Sequence, residues 1–186
     1  MLILASRSPQ RRAILERVGI AFEVVVSGVA EIESGDAAEV ALGNAERKAD
    51  AVLARCAERA DALVLGADTV VALGATLFGK PADEAEARVM LRSLGGQTQT
   101  VVTGLALLSV AARRTAVVQT RVRFRPLDDR IIDWYVARGE WQQRAGGYAI
   151  QGAGSALVTA VEGDYENVVG LPLAALLDMC PELLFG

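Results

Sequence analysis

A mixed α/β sheet flanked by helices is the fold class this 186-residue sequence predicts, and three observations predict it. Short apolar runs at 2–5, 22–26 and 63–67 alternate with helical periodicity at 9–19 and 37–60, the pattern of strands covered by crossover helices. Two long strand-like segments, 98–110 and 115–124, follow one another across a short break. They read as an antiparallel hairpin, so a mixed sheet fits better than a doubly wound one. No repeat, linker or low-complexity stretch divides the chain, and its length suits a single domain over residues 1–186.

The elements follow in order. Residues 2–5 form a buried strand and 6–8 a turn, and Ser8-Pro9 then starts a helix, with serine at the N-cap and proline at the first helical position. That helix runs to about Gly19 on the stripe Ile14, Leu15 and Val18. Arg11 falls on this stripe and Arg12 on the flank beside Glu16. A second strand, 22–26, leads into a loop containing Glu31. The helix at 37–60 has Val40, Ala41, Ala45, Ala49, Val52 and Cys56 on its apolar face, with Lys48 on or next to that face. The strand at 63–67 ends in Asp68-Thr69 and continues through 70–72 to a turn at Gly74. Pro81 and Asp83 open a further helix, Asp83 and Glu86 forming a capping-box pattern, and Gly95-Gly96 closes it. The hairpin turns at 112–114, and residues 128–138 form a helix. A glycine-rich segment at 146–154 leads to a strand at 156–162, and Leu171-Pro172 starts a closing helix.

Composition narrows the chemistry. The chain has no histidine, which removes imidazole bases, Ser-His and Cys-His nucleophiles and mixed His/Cys zinc sites. A net charge of −4 argues against a non-specific nucleic-acid binder, so an anionic ligand must be held by a local cluster of cations. Two cysteines, Cys56 and Cys180, give neither a disulfide framework nor a metal motif, and a reducing cytoplasm is expected. The opening apolar run is too short for a signal segment, and the run at 101–112 is too short to span a bilayer. Of the 19 basic residues only Lys48 and Lys80 are lysine. An ammonium differs from a guanidinium as a compact, rotatable point charge of the kind used on phosphate.

Several features converge on phosphate. The strand–turn–helix at 4–12 brings serine hydroxyls, free backbone N–H groups and the positive helix end together, with Arg11 aimed the same way. Serines there also serve as plain caps. Lys80 follows Gly79, yet the segment is no P-loop, because the Gly-x4-Gly spacing is missing and Pro81 replaces the hydroxyl residue. Lys48 on an apolar face must snorkel or meet an anion. Asp68 ends a strongly hydrophobic strand, where ligand-acting residues sit in α/β proteins, although aspartate also caps turns there. Together with Glu31 it could hold a Mg²⁺ that bridges phosphates, or orient an attacking water. The segment at 146–154 lacks dinucleotide-binding spacing, and its Gln151 offers an amide able to read a base edge.

Residues 2–11, Leu2-Ile3-Leu4-Ala5-Ser6-Arg7-Ser8-Pro9-Gln10-Arg11, resemble the N-terminal signature of the Maf family of nucleoside triphosphate pyrophosphatases, also called septum-formation proteins. The likeness continues through Glu46-Arg47-Lys48-Ala49, Leu65-Gly66-Ala67-Asp68-Thr69, Phe78-Gly79-Lys80-Pro81, Gly146-Gly147-Tyr148-Ala149-Ile150-Gln151-Gly152 and Asn167-Val168-Val169-Gly170-Leu171-Pro172. The resemblance implies two lobes around a central cleft, a homodimer, and cleavage of a nucleoside triphosphate to monophosphate and pyrophosphate with a divalent cation such as Mg²⁺, Mn²⁺ or Co²⁺. It implies Asp68 as the catalytic acidic residue, Glu31 as its metal partner, and Ser6, Ser8, Arg11, Lys48 and Lys80 around the triphosphate, with Glu31 and Lys80 also counted as catalytic. Base choice falls to the positions of Gln10, Thr69 and Gln151. Thr69 and Gln151 resemble a dTTP/UTP-preferring branch, whereas Gln10 replaces the arginine most relatives carry and leaves the base open. Arg144 stands where relatives usually have lysine. A role in clearing non-standard nucleotides is implied, and the alternative of another class is a nucleotide- or nucleic-acid-binding regulator of septum formation.

Overall fold

The computed structural model of the chain describes residues 1–56, 58–59 and 61–185. Its strands are β1 (Leu2–Leu4), β2 (Phe22–Val24), β3 (Leu63–Leu73), β4 (Thr76–Phe78), β5 (Thr98–Leu108), β6 (Arg113–Phe124) and β7 (Val158–Glu162). Its helices are α1 (Pro9–Arg17), α2 (Ala37–Arg55), α3 (Glu84–Leu94), α4 (Asp129–Val136), α5 (Tyr165–Val169) and α6 (Leu173–Met179). The strands form one mixed sheet in the order β2-β1-β3-β5-β6-β7, with β4 added beside β3. The β2/β1 and β1/β3 pairs are parallel and all others antiparallel, as the sequence predicts for its two halves.

The pairing of β3 creates the opening that matters. One edge of β3 is bonded to β5 from Val64 to Ala72. Its other edge is shared: β1 pairs with Leu63–Leu65 and β4 with Val71–Leu73. Residues 66–70 therefore have a strand partner on one side only, and Asp68 and Thr69 lie in that fork. Successive strand residues point to opposite faces, so Asp68 meets α2 on one face while Thr69 meets α1 and α5 on the other.

Helix α2 lies unusually close to the sheet. Its buried face is small, with Ala41, Ala45 and Ala49, and the strand residues beneath are Gly66 and Gly104. A Cβ on Gly66 would stand 2.1 Å from the Ala45 carbonyl oxygen, and one on Gly104 would stand 2.4 Å from that of Ala41. Backbone cannot yield as a side chain can. Gly104→Ala is expected to cost about 3 kcal/mol or more, at or beyond the upper end for overpacking, read as a fall in the urea midpoint. A stability unchanged within error would contradict this packing.

The core divides around the cleft. Val71, Met90, Leu94, Phe124, Tyr135 and Tyr148 form a cluster with α3 and α4, whereas Leu4, Ile14, Leu15, Leu65 and Leu107 pack α1 and α6 against the sheet. A third cluster, including Ile3, Ala45, Val52, Val64 and Leu108, lies under α2.

Several sequence expectations need correction. The hairpin turns at 109–112, not 112–114, because the Ser109 N–H donates to the Ala112 carbonyl at 2.8 Å and its hydroxyl accepts the Ala112 N–H at 3.1 Å. Arg113 thus pairs with Leu108 inside the ladder. Strand β4 was not expected, since its three residues are too few to show a period. Helix α5 was also missed: it is five residues long and held by the Asp164 carboxylate on the Glu166 and Asn167 N–H groups. Helix α2 ends at Arg55, and Ala60, where the expectation ended it, lies outside the described residues. The glycine-rich segment is built from two 3-10 turns, Ala145–Gly147 and Ala153–Leu157, so the following strand starts at Val158. No helix among the described residues is long and apolar enough to cross a membrane.

Candidate active site

A cleft of about 890 Å³ opens at the β3 fork and is lined from both ends of the molecule. The turn after β1 and the start of α1 supply Ser6, Ser8, Gln10 and Arg11; the loop after β2 supplies Glu31; α2 supplies Lys48. Strand β3 supplies Asp68 and Thr69, the segment after β4 supplies Lys80, and the glycine-rich segment supplies Gln151. Every candidate site residue named from the sequence thus lines one cavity. Residues far apart in the chain meet there, as where the Arg11 guanidinium donates to the Gly170 backbone carbonyl, 159 positions away.

Lys48 is the centre of its charge pattern. Its ammonium lies 2.6 Å from Asp68 Oδ1 and 2.6 Å from Glu31 Oε1. The side chain is buried, so snorkelling is not how the fold resolves a lysine on an apolar face. It is instead neutralised by two carboxylates, one of them the buried Asp68. Lys80 approaches the same cluster from the open side, its Nζ donating to Glu31 Oε2 at 3.3 Å.

Asn44 was not recognised in the sequence, yet it organises this group. One turn before Lys48 on α2, its amide donates to Asp68 Oδ2 at 3.0 Å and to the Ile32 carbonyl at 2.9 Å, and accepts the Ile32 N–H at 2.6 Å. It therefore fixes Asp68 and the loop carrying Glu31 with one side chain. The signal was available: Asn44 and Lys48 are spaced i, i+4 and share a helix face.

Ser6 and Ser8 both bond to Arg11. Ser8 caps α1, its hydroxyl accepting the Arg11 N–H at 3.4 Å and donating to Gln10 Oε1 at 3.0 Å. Ser6 Oγ accepts from Arg11 Nη1 at 3.1 Å. The guanidinium is completed by the Gly170 carbonyl on Nε at 2.8 Å and Thr69 Oγ1 on Nη2 at 3.0 Å. Thr69 Oγ1 also lies 2.9 Å from Thr103 Oγ1, so its hydroxyl is tied into the fold. Burial lowers the Arg11 pKa from its ordinary value, while Asp68 and Glu31 oppose that shift; an arginine stays charged regardless. Gln151 is exposed at the cleft wall, where an incoming ligand can reach it. Its loop is pinned by Glu140, whose Oε2 accepts the Ala153 N–H at 2.8 Å, and by Tyr135, whose hydroxyl accepts the Ala149 N–H at 2.9 Å.

Burial would raise the Glu31 carboxyl, but the ammonium groups of Lys48 and Lys80 more than offset it and leave it below its ordinary value of 4.5. A lowered folded value means stability that is present above the unfolded value and lost as pH falls through the folded one. Glu31→Gln is expected to destabilise the fold at neutral pH by about 1 kcal/mol or less, because the group is part-exposed, read as a lower thermal midpoint. The gap to the parent protein should close as pH drops below the ordinary glutamate range. A gap that widened in acid would contradict the assignment.

The donor set can be asked whether it suits a divalent cation. Glu31 and Asp68 already converge on one positive group, and each brings hard oxygen donors, which fits a Mg²⁺-type ion held by one or two carboxylates plus waters and phosphate. No cluster of three or more such ligands occurs among the described residues, so phosphate oxygens would have to complete the set.

A family model described as Maf-like protein matches residues 1–183. A dTTP/UTP pyrophosphatase of Deinococcus radiodurans is 50% identical over 177 residues, 95% of this chain and 89% of that one. One from Pelotomaculum thermopropionicum is 47% identical, over 96% and 94% of the two chains. A Pyrococcus furiosus relative of the same description is 42% identical, over 96% and 93%.

Proposed function

We propose, because this chain belongs to the Maf family, that its cleft hydrolyses nucleoside triphosphates to the monophosphate and pyrophosphate. The observation that carries this reading is the convergence of Asp68 and Glu31 on Lys48, with Arg11 and Lys80 in the same cleft. Few ligands other than a polyphosphate need several cations and a pair of carboxylates at one place. The relatives described as dTTP/UTP pyrophosphatases make dTTP and UTP the first substrates to try.

In the proposed reaction a water attacks the α-phosphorus, the bond to the bridging oxygen breaks, and pyrophosphate leaves with that oxygen. Asp68, held by Lys48 and Asn44, orients the water and accepts its proton. Arg11, Lys48 and Lys80 stabilise the charge that develops on the leaving group. Glu31 and Asp68 would hold a divalent cation, which supplies hard Lewis-acid neutralisation of the phosphate oxygens when bound. Gln10, Thr69 and Gln151 are the proposed base-selecting positions, Thr69 acting through a hydroxyl that Arg11 and Thr103 already orient.

The proposal extends to a homodimeric, cytoplasmic enzyme that removes non-standard nucleotides. A role as a division regulator without catalysis is not favoured, because relatives similar along nearly the whole chain are described as pyrophosphatases. The test is pyrophosphate release from pure protein across canonical and modified triphosphates with Mg²⁺, Mn²⁺ and Co²⁺. Turnover of dTTP or UTP that depends on an added cation supports the proposal. Absence of pyrophosphate with every substrate and metal would sink it.

A further inference from the structure

Arg144 is a cleft cation without a salt bridge among the described residues, Glu140 acting on it only at longer range. It lines the cavity, yet no carboxylate among the described residues lies within salt-bridge distance, and its Nε is buried with no hydrogen-bond partner. The other buried cations of the cleft are provided for: Arg11 donates to two hydroxyls and a backbone carbonyl, and Lys48 meets two carboxylates. Arg7 also lines the cleft but is exposed, where water satisfies it. A buried, unpaired guanidinium N–H is costly and calls for an explanation.

The backbone around Arg144 is built to hold it in place. The Arg144 carbonyl accepts the Gly147 N–H at 3.0 Å, closing the turn it begins. The Gly146 N–H donates to the Gly79 carbonyl at 2.9 Å, which ties this turn to the residue before Lys80. The two cations are thus held on backbone segments that are hydrogen-bonded to each other. A neutral base carbonyl would supply a hydrogen bond to the guanidinium but no charge. A phosphate supplies both: the Nη groups can donate to its oxygens directly, and a small turn of the side chain would bring the buried Nε into the same contact.

We propose that Arg144 is a further substrate-binding residue, gripping the polyphosphate end of the nucleotide together with Lys80, an inference that rests on the polyphosphate reading of the cleft. Desolvation also lowers its pKa from the ordinary value, with only Tyr135 and Glu140 opposing, in keeping with a charge awaiting its partner.

The test is direct binding of inorganic tripolyphosphate by calorimetry, which requires no turnover, to the parent protein, Arg144→Gln and Arg144→Lys. Arg144→Gln should weaken binding by about tenfold to a hundredfold, the range of a lost charge-assisted hydrogen bond. Arg144→Lys should recover part of that loss, since it restores charge without the fork. The unliganded thermal midpoint should be nearly unchanged in both, because no side-chain hydrogen bond or salt bridge to protein is lost. Equal tripolyphosphate affinity in parent and Arg144→Gln would overturn the proposal, as would weakened thymidine binding with tripolyphosphate unaffected. A parent protein that binds no tripolyphosphate would defeat the polyphosphate reading itself, and with it this inference.

Discussion

Asp68→Asn is expected to cut pyrophosphate release by between about a hundredfold and ten-thousandfold, the range for loss of a general base, while the protein still folds. The substitution preserves shape and removes only charge and basicity. The carboxylate now accepts from Lys48 Nζ at 2.6 Å and Asn44 Nδ2 at 3.0 Å. An asparagine side chain has one oxygen for these two donors, so its own NH₂ must face one of them. That conflict costs stability, but Glu31 still neutralises Lys48, so the loss should remain near the 1–3 kcal/mol of about one unsatisfied group. Steady-state turnover alongside a thermal melt checks both parts. Near-parent turnover in a folded Asp68→Asn protein would remove Asp68 from the reaction.

Lys48→Met should have the larger effect on the fold. It leaves the buried Asp68 facing Glu31 with the shared cation gone, and breaking a buried pair by removing one partner costs about 3–5 kcal/mol. The measured quantity is the urea midpoint, and activity should fall with it. Lys48→Arg separates charge from shape. It keeps the positive charge, but a planar fork must fit where one nitrogen now sits 2.6 Å from two carboxylates. Its stability should lie between parent and Lys48→Met, and its turnover should still be strongly reduced. Full activity in Lys48→Arg would mean that the scarcity of lysine, two among 19 basic residues, is unrelated to the site.

How much of this was legible in the sequence follows from which interactions are local. Helical periodicity alone turned Arg11 and Lys48 inward, and both are buried. The Ser8-Pro9 start and the Asp83 cap are one-turn signals, and both caps form. The fork in β3 was not legible, because it depends on β1 and β4 dividing one strand edge between them, a long-range pairing no local pattern encodes. Asn44 was passed over because asparagine inside a helix is usually a solvated polar residue, and only the position of Asp68 on the strand below gives it work. The closeness of α2 to the sheet was readable only in part: alanines on the helix were seen, but not their matching with Gly66 and Gly104. Arg144 was seen as a motif position, while its unpaired Nε is a property of the folded cleft alone.

The central claim, that water attacks the α-phosphorus in the cleft around Asp68, is tested most directly by running the reaction in ¹⁸O-labelled water with dTTP or UTP and locating the label by mass spectrometry. The label is expected in the nucleoside monophosphate, with unlabelled pyrophosphate as the other product. Label in the pyrophosphate, or release of orthophosphate with a nucleoside diphosphate, would contradict it.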